Sequence, residues 1–459
     1  MAQRNIRLAA LLRETNFSHK SLARAVVSTA ALSGEKVACD HTYVTRWLKG
    51  TIPRGNVPWF VADAIGRRLG RRLTVDDVGM GAAAVSAVRP DLGLDLADRP
   101  ETVARTVADL WRADLANAEV LLRTPQDPTV WSVAALYWLV APPDGPLART
   151  GDCAVSARDV DTVRSTADAF SELDGTFGGG HARHALIQYL HTDVRPMLDG
   201  TYSDAVGKQL YSAVAEALLL AGWMSYDSCL HSIAQRYFVQ ALRMTQAAGD
   251  RRLGGSVLSA MSHQATFLGR YRDALALARA AYIAPGTDLG PTMAAQFRAM
   301  EARAHAQLGD ARACDQALAE AERQLDGRTV DSDPPYISYF DETELAAEIA
   351  HCHRDLGRSV DATVRRTGFL LGNGSHTRSN FFVTMVQAEA YIHHSETGRG
   401  FELALDALRI GEGLKSARCL QYVRQLHSRV TDSMRQAAGF RDFEERARGF
   451  RLWRQAGVI

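Results

Sequence analysis

From about residue 181 onward the chain returns repeatedly to one pattern, a Leu-Gly turn followed by a helix with a small-residue face. L-G-R-Y-R-D-A-L-A-L-A-R-A-A (268–281) carries it, with alanines at 274, 278 and 281. L-G-D-A-R-A-C-D-Q-A-L-A-E-A (308–321) repeats it, L-G-R-S-V-D-A (356–362) opens a third copy, and E-T-G-R-G-F-E-L-A-L (396–405) a fourth. Upstream, Gly222, Ala234, Phe238 and Ala241 have the same glycine-then-alanine-and-aromatic order. Glycine-to-glycine steps of 40, 48 and 41 residues fit two helices and two turns. Such a pair cannot bury its apolar face alone, so neighbouring pairs must stack into one continuous core. The expected class is therefore all-α. Hydrophobic residues make up 46% of the 459 positions, enough to exclude wholesale disorder.

The small and aromatic positions are those of tetratricopeptide repeats, whose standard period is about 34 residues. Here the repeats are degenerate, with longer helices and loops, and the expectation is a tetratricopeptide-like α-solenoid of five to seven helix pairs over 181–459. Solenoids curl around a concave face that binds peptides or partner helices. Polar and aromatic residues on the first helices of the pairs are the candidates for that face: Tyr226, Asp227, His263, Gln264 and Arg298. Each of them also reads as part of a solvated helix surface.

The N-terminal 81 residues have a different character. They carry 13 Lys/Arg against 6 Asp/Glu, whereas the remaining 378 carry 40 against 46. A basic module on an acidic body suits a polyanionic partner for the module alone. Apolar spacing predicts four short helices: Ile6 to about Glu14 (Ile6, Leu8, Leu11, Leu12 inward), Ser18–Val27 (Leu22, Ala23, Val26), His41–Lys49 (Val44, Trp47, Leu48) and about Pro58–Leu69. Ser18 and Asp40 are N-cap candidates. The third helix turns His41, Thr42, Thr45, Arg46 and Lys49 outward. Those side chains can read base edges: Arg46 as a fork for guanine, Thr42 and Thr45 as hydrogen-bonding groups or contacts for a thymine methyl. Ser18, His19 and Lys20 open the second helix, where backbone N–H groups and a cation hold phosphate. A small docking domain with a solvated basic face is the plainer alternative.

S-H-K-S-L-A-R-A-V (18–26 and onward) followed by T-Y-V-T-R-W-L-K-G-T-I-P (42–53) resembles the phage-repressor or xenobiotic-response-element type of helix-turn-helix. That resemblance implies a buried Leu22, Ala23, Val44 and Trp47, a recognition helix ended by Gly50, and base or phosphate contacts from His19, His41, Thr42, Thr45 and Arg46. The Ser28–Asp40 link is longer than the tight turn of that class. With L-A-G-W-M-S-Y-D (220–227) and A-Q-R-Y-F-V-Q-A-L (234–242) added, the chain resembles actinobacterial regulators that join such a helix-turn-helix to a degenerate tetratricopeptide body. Relatives of that kind are implicated in repressing or timing differentiation and antibiotic production in streptomycetes.

The expected organisation is thus a helix-turn-helix domain (1–81), a Gly/Ala/Pro linker (82–100), a connecting helical region (101–180) and the repeat domain (181–459). Within the connecting region a helix is expected over about Glu101–Leu122 and another over Ser156–Leu173, while Trp131–Val140 is apolar throughout and reads equally as helix or buried strand. F-G-G-G-H-A-R-H (177–184) is a glycine-rich loop opening a helix. It reads mainly as a turn, and secondly as an effector-anion site formed by its N–H groups with His181 and Arg183. It lacks the lysine and hydroxyl of a phosphate loop. His351-Cys352-His353 and His393-His394 lack the i, i+4 spacing of metal ligands on a helix, and the six cysteines contain no C-x-x-C pair. No metal, no cofactor and no catalytic motif is expected. No apolar run reaches the roughly 18 residues of a membrane span, and the start of the chain does not read as a secretory leader, so a cytoplasmic location is expected. The expected partners are double-stranded operator DNA, a second copy of the chain, and an effector peptide, small molecule or protein on the repeats. The alternative is an adaptor whose solenoid captures a signalling partner while the basic module only docks.

Overall fold

The computed structural model describes residues 5–32, 35–53, 55–69, 73, 75, 77–80, 88–328, 333–359, 361 and 377–449. Among them the fold is all-helical, with two isolated β-bridges (Arg149–Tyr202 and Ala154–Thr201) and no strand. Among the described residues no helix is long and apolar enough to cross a membrane. The chain divides into two compact units, residues 1–92 with 112–125, and residues 93–111 with 126–459.

The first unit is built on α1 (Ile6–Thr15), α2 (His19–Leu32), α3 (His41–Leu48) and α4 (Val57–Leu69). Leu8, Leu11 and Leu12, Leu22, Ala23 and Val26, Val44 and Trp47, and Phe60, Ala64 and Ile65 meet in one core. Those are the helical-period positions of the sequence, with one exception: Ile6 is 72% exposed, because it sits in the first turn, ahead of the face that reaches the core. Asn5 fixes this end of the module. Its Oδ1 accepts from the Leu8 N–H at 3.0 Å while its Nδ2 donates to the Val78 and Gly79 carbonyls. α1 stops at Asn16, which takes the left-handed conformation (φ 55°) that asparagine tolerates better than most residues. α2 runs five residues beyond the Val27 expected from its apolar spacing. Thr29 and Ala30 are buried, so small side chains continue the inward face where no large apolar residue marks it. The link to α3 shortens accordingly to residues 33–40.

Over the connecting region α5 (Pro100–Leu115), which begins in the second unit and ends in the first, and α6 (Glu119–Arg123), which belongs to the first, replace the single helix expected over 101–122. Asn117 breaks it with a positive φ of 49°. The ambiguous apolar run is helical, α7 (Pro128–Val140), capped by Asp127, whose carboxylate accepts from the Thr129 N–H. α8 (Ala157–Phe177) begins with a capping box in which Asp159 accepts from the Ser156 N–H at 2.7 Å, a pairing open to a serine and an acid three residues apart. α9 (Gly179–Tyr189), a π turn (Leu190–Val194) and α10 (Arg195–Leu198) follow.

From there the chain runs through α11 (Asp204–Asp227), α12 (His231–Ala248), α13 (Arg251–Phe267), α14 (Tyr271–Ile283), α15 (Pro291–Gln307), α16 (Ala311–Asp326), α17 (Glu342–Asp355), α18 (Thr377–His393), α19 (Thr397–Gly411), α20 (Ala417–Arg429) and α21 (Phe440–Gly449). Chain neighbours pair, and α11, α13, α15, α17, α18 and α20 also touch in succession, forming one row. The row curls until α20 meets α11. Close approach inside the pairs depends on the small residues. A Cβ at Gly222 on α11 would lie 2.3 Å from Cε1 of the fully buried Phe238 on α12, so only glycine fits there.

Candidate functional site

Two places gather the residues to which the sequence points. In the first unit, α3 buries Val44 and Trp47 and exposes His41, Thr42, Arg46 and Lys49, with Thr45 half-buried. Asp40 caps the helix, its carboxylate accepting from the N–H groups of Thr42 (2.7 Å) and Tyr43 (3.3 Å) and from the Thr42 hydroxyl. These hydrogen bonds to the charged form hold the Asp40 carboxyl below the usual carboxylate range. Ser18 caps α2 by accepting from the Ser21 N–H at 3.1 Å, and His19 and Lys20 beside it are exposed. Nδ1 of His19 lies 3.2 Å from Oγ1 of Thr45, so the start of α2 and the outer face of α3 form one surface. All eight residues chosen from the sequence fall on that surface or at its edge. Tyr43, exposed beneath the Arg46 guanidinium at 5.9 Å, was missed because an aromatic beside the core positions reads as core.

The second unit treats its seven candidates differently. Asp227 is buried. It accepts from the Gly179 N–H at 2.9 Å and from the Ser416 hydroxyl at 2.8 Å, and lies 3.5 Å from the Arg378 guanidinium. The glycine loop is therefore engaged within the chain: Gly179 donates to Asp227 and Gly180 donates to the Lys415 carbonyl at 2.9 Å. His181 is exposed against the Phe177 ring, and Arg183 donates to Ser225 at 2.8 Å. Gln264 is buried and donates to the His231 carbonyl. Arg298 stands apart, stacked on Tyr282 at 3.7 Å and paired with Glu301.

Tyr226 and His263 do converge, with the Tyr226 hydroxyl 3.1 Å from Nδ1 of His263. They line a pocket of about 80 Å³, partly open to solvent, among α11, α13, α14, α15, α17 and α20. Phe267, Tyr271, Met300 and Tyr422 supply apolar and aromatic wall. Gln307 and Gln425 place amides there, and Arg303 and Arg354 are its charged members. The carboxylates that pair with these arginines are not part of the lining: Glu348 lies 2.5 Å from Arg303, while Asp355 at 2.7 Å and Glu389 at 3.3 Å hold Arg354. Behind the wall Arg418 is sandwiched between the Tyr226 and Phe382 rings, 4.5 Å from each. Burial, reinforced by Arg418 and Arg303, holds His263 well below its ordinary pKa, and burial with Arg418 pushes His231 down to about 4. The histidines here are thus neutral at pH 7, and the positive charge belongs to arginine. Arg303, Arg354, Tyr422 and Gln425 come from α15, α17 and α20, and no local spacing announces them.

The H-C-H triplet is structural. Nδ1 of His351 donates to the Ala347 carbonyl at 2.8 Å, and its Nε2 lies 3.0 Å from the Tyr422 hydroxyl. Among the described residues no three His, Cys, Asp or Glu side chains converge as a metal site.

Residues 8–81 match the family model of the SP15 N-terminal domain. No curated protein and no solved structure matches the chain.

Proposed function

We propose that the chain is a sequence-specific, DNA-binding transcriptional regulator that works in the cytoplasm. In this reading the first unit is a helix-turn-helix with α3 as recognition helix. The second is a tetratricopeptide-like solenoid that dimerises and binds an effector. The observation that carries the proposal is the outer face of α3. A short rigid helix, anchored by Val44 and Trp47, presents His41, Thr42, Arg46 and Lys49 to solvent beside the capped start of α2. A helix of this girth enters a major groove about 12 Å wide, and these side-chain types hydrogen-bond base edges and phosphates. The excess of basic residues over 1–81 adds the non-specific attraction, and the SP15 N-terminal domain match spans this same module.

One such module makes few contacts, so two copies on a two-fold site supply the affinity. α7 supports a second copy as the partner. It carries no charged residue, yet Val133, Leu136 and Val140 are 63%, 63% and 70% exposed. A helix apolar all round belongs in an interior, and an uncharged patch meets its own copy across a two-fold axis without like-charge repulsion. Repression of development or secondary-metabolism genes rests on the sequence resemblance alone. The test is a pull-down of genomic fragments with purified protein, followed by titration of enriched fragments at several salt concentrations. The proposal expects a palindromic site bound far more tightly than random DNA, with affinity falling steeply in salt. Weak binding indifferent to sequence would overturn it.

A further inference from the structure

We propose that the cavity inside the curled row of the second unit is a binding site for a small organic carboxylate with an apolar body. The inference rests on the effector-binding half of the reading above and is independent of the DNA-binding half.

Size comes first. A water needs roughly 10–15 Å³ of such volume, so about 80 Å³ leaves room for a small organic molecule. That volume suits a small molecule rather than a length of peptide. Charge comes second. The charged lining residues are both arginine, and the acids that balance them stand outside the lining. Arg303 is 7% exposed. A guanidinium beside the cavity adds a charge-assisted hydrogen bond to an anionic oxygen placed there. The half-buried amides of Gln307 and Gln425 add further donors. Shape comes third. Phe267, Tyr271, Met300 and Tyr422 would cover the rest of the ligand, which favours an apolar acid over a bare inorganic anion. Because the adjacent histidines stay neutral, the arginines alone supply the positive charge.

The test is calorimetric titration of the full chain, free of DNA, with benzoate, with its uncharged analogue benzamide and with inorganic phosphate. Saturable benzoate binding is expected, at least tenfold tighter than either control. Arg303→Gln should weaken it at least tenfold, a charge-assisted hydrogen bond being lost. Since that change leaves Glu348 without its partner, Gln425→Glu is the second variant. It brings a carboxylate to the lining at a half-exposed position and should weaken benzoate at least tenfold with the helical circular dichroism unchanged. Absence of benzoate saturation, equal binding of benzamide, preference for phosphate, or undiminished binding by a folded Gln425→Glu protein would each overturn the assignment. None of these readings involves DNA, so loss of operator binding would leave this inference standing.

Discussion

The Ser416 hydroxyl donates 2.8 Å to Asp227, a residue 189 positions earlier in the chain. The same carboxylate accepts from Gly179 and faces Arg378, so one buried acid joins the start of α9, the end of α11 and the approach to α20. Replacing Asp227 with Ala strands the Gly179 N–H and leaves Arg378 with Asp174 alone. Burial raises the pKa of Asp174, against the pull of Arg378. Removing one partner of a buried charged pair costs about 3–5 kcal/mol. Urea unfolding of Asp227→Ala should show a loss of that order; a loss under about 1 kcal/mol would mean the contact is peripheral.

That residue also marks where the sequence stops being legible. Asp227 follows the apolar run from Ala217 to Met224, and one chain position cannot say whether such a residue meets a ligand or a distant part of its own fold. The second unit answers the same way elsewhere. Arg243, almost fully buried, makes two hydrogen bonds to Asp144, 99 residues away, and the buried Gln240 donates to the carbonyls of Gly93 and Asp95. Their partners lie in other helices and loops, beyond any periodicity. In the first unit the reading went further because its core is local: Leu22, Ala23, Val44 and Trp47 are inward by helical spacing alone. The cavity was illegible for the opposite reason. Arg303, Arg354 and Tyr422 meet only because the row curls, and closure depends on how pairs stack rather than on any pattern within one pair.

On the outer face of α3, Arg46 and Trp47 are neighbours with opposite duties. Arg46 is exposed, so Arg46→Ala should leave the unfolding curve unchanged. It should weaken binding to an enriched genomic fragment by about 1–3 kcal/mol, the worth of a bidentate base contact. Trp47 is buried in the core of the module, and Trp47→Ala should destabilise it by roughly 3–5 kcal/mol. Lys49→Ala should lower the slope of log affinity against log salt by about 1 with little change in sequence preference. Fluorescence-anisotropy titrations at three salt concentrations separate these cases. An Arg46→Ala protein that keeps full specific affinity would remove α3 from the interface.

Glu344 on α17 gives the stability a pH dependence of unusual sign. Burial raises its pKa to about 7, with the Glu348 and Asp341 carboxylates adding to the effect and the Ser379 hydroxyl opposing it by donating to Oε1 at 2.9 Å. A folded-state value above the unfolded one means that the native protein holds the proton more tightly. The contribution is therefore present in full below about pH 4.5 and is lost as pH rises towards 7. The span corresponds to roughly 3 kcal/mol. Glu344→Gln keeps the acceptor for Ser379 and removes the titration. It should be more stable than wild type at pH 8 and equal to it near pH 4, as read by denaturant midpoints at the two values. Equal stability at pH 8 would show that the carboxyl ionises inside the fold without cost.

The outer stripe of α7 makes the last prediction. Trp131 and Trp138 are fully buried on the inner side, the indole N–H of Trp138 donating to Thr245 at 3.1 Å. α7 is therefore fixed by that side, and its opposite face is free to change without disturbing the unit. Leu136→Glu puts a charge in the middle of the exposed stripe. Across a two-fold axis the same substitution faces itself, so each copy would bury a carboxylate near its like. That arrangement costs several kcal/mol in a dimer and close to nothing in a monomer. Sedimentation equilibrium should find the wild-type chain dimeric and the variant monomeric, with equal thermal stability at low protein concentration where both are dissociated. Affinity for a palindromic fragment should fall with the dimer, whereas affinity for a half-site should not. If Leu136→Glu sediments as wild type does, the copies meet elsewhere and the stripe has no part in joining them.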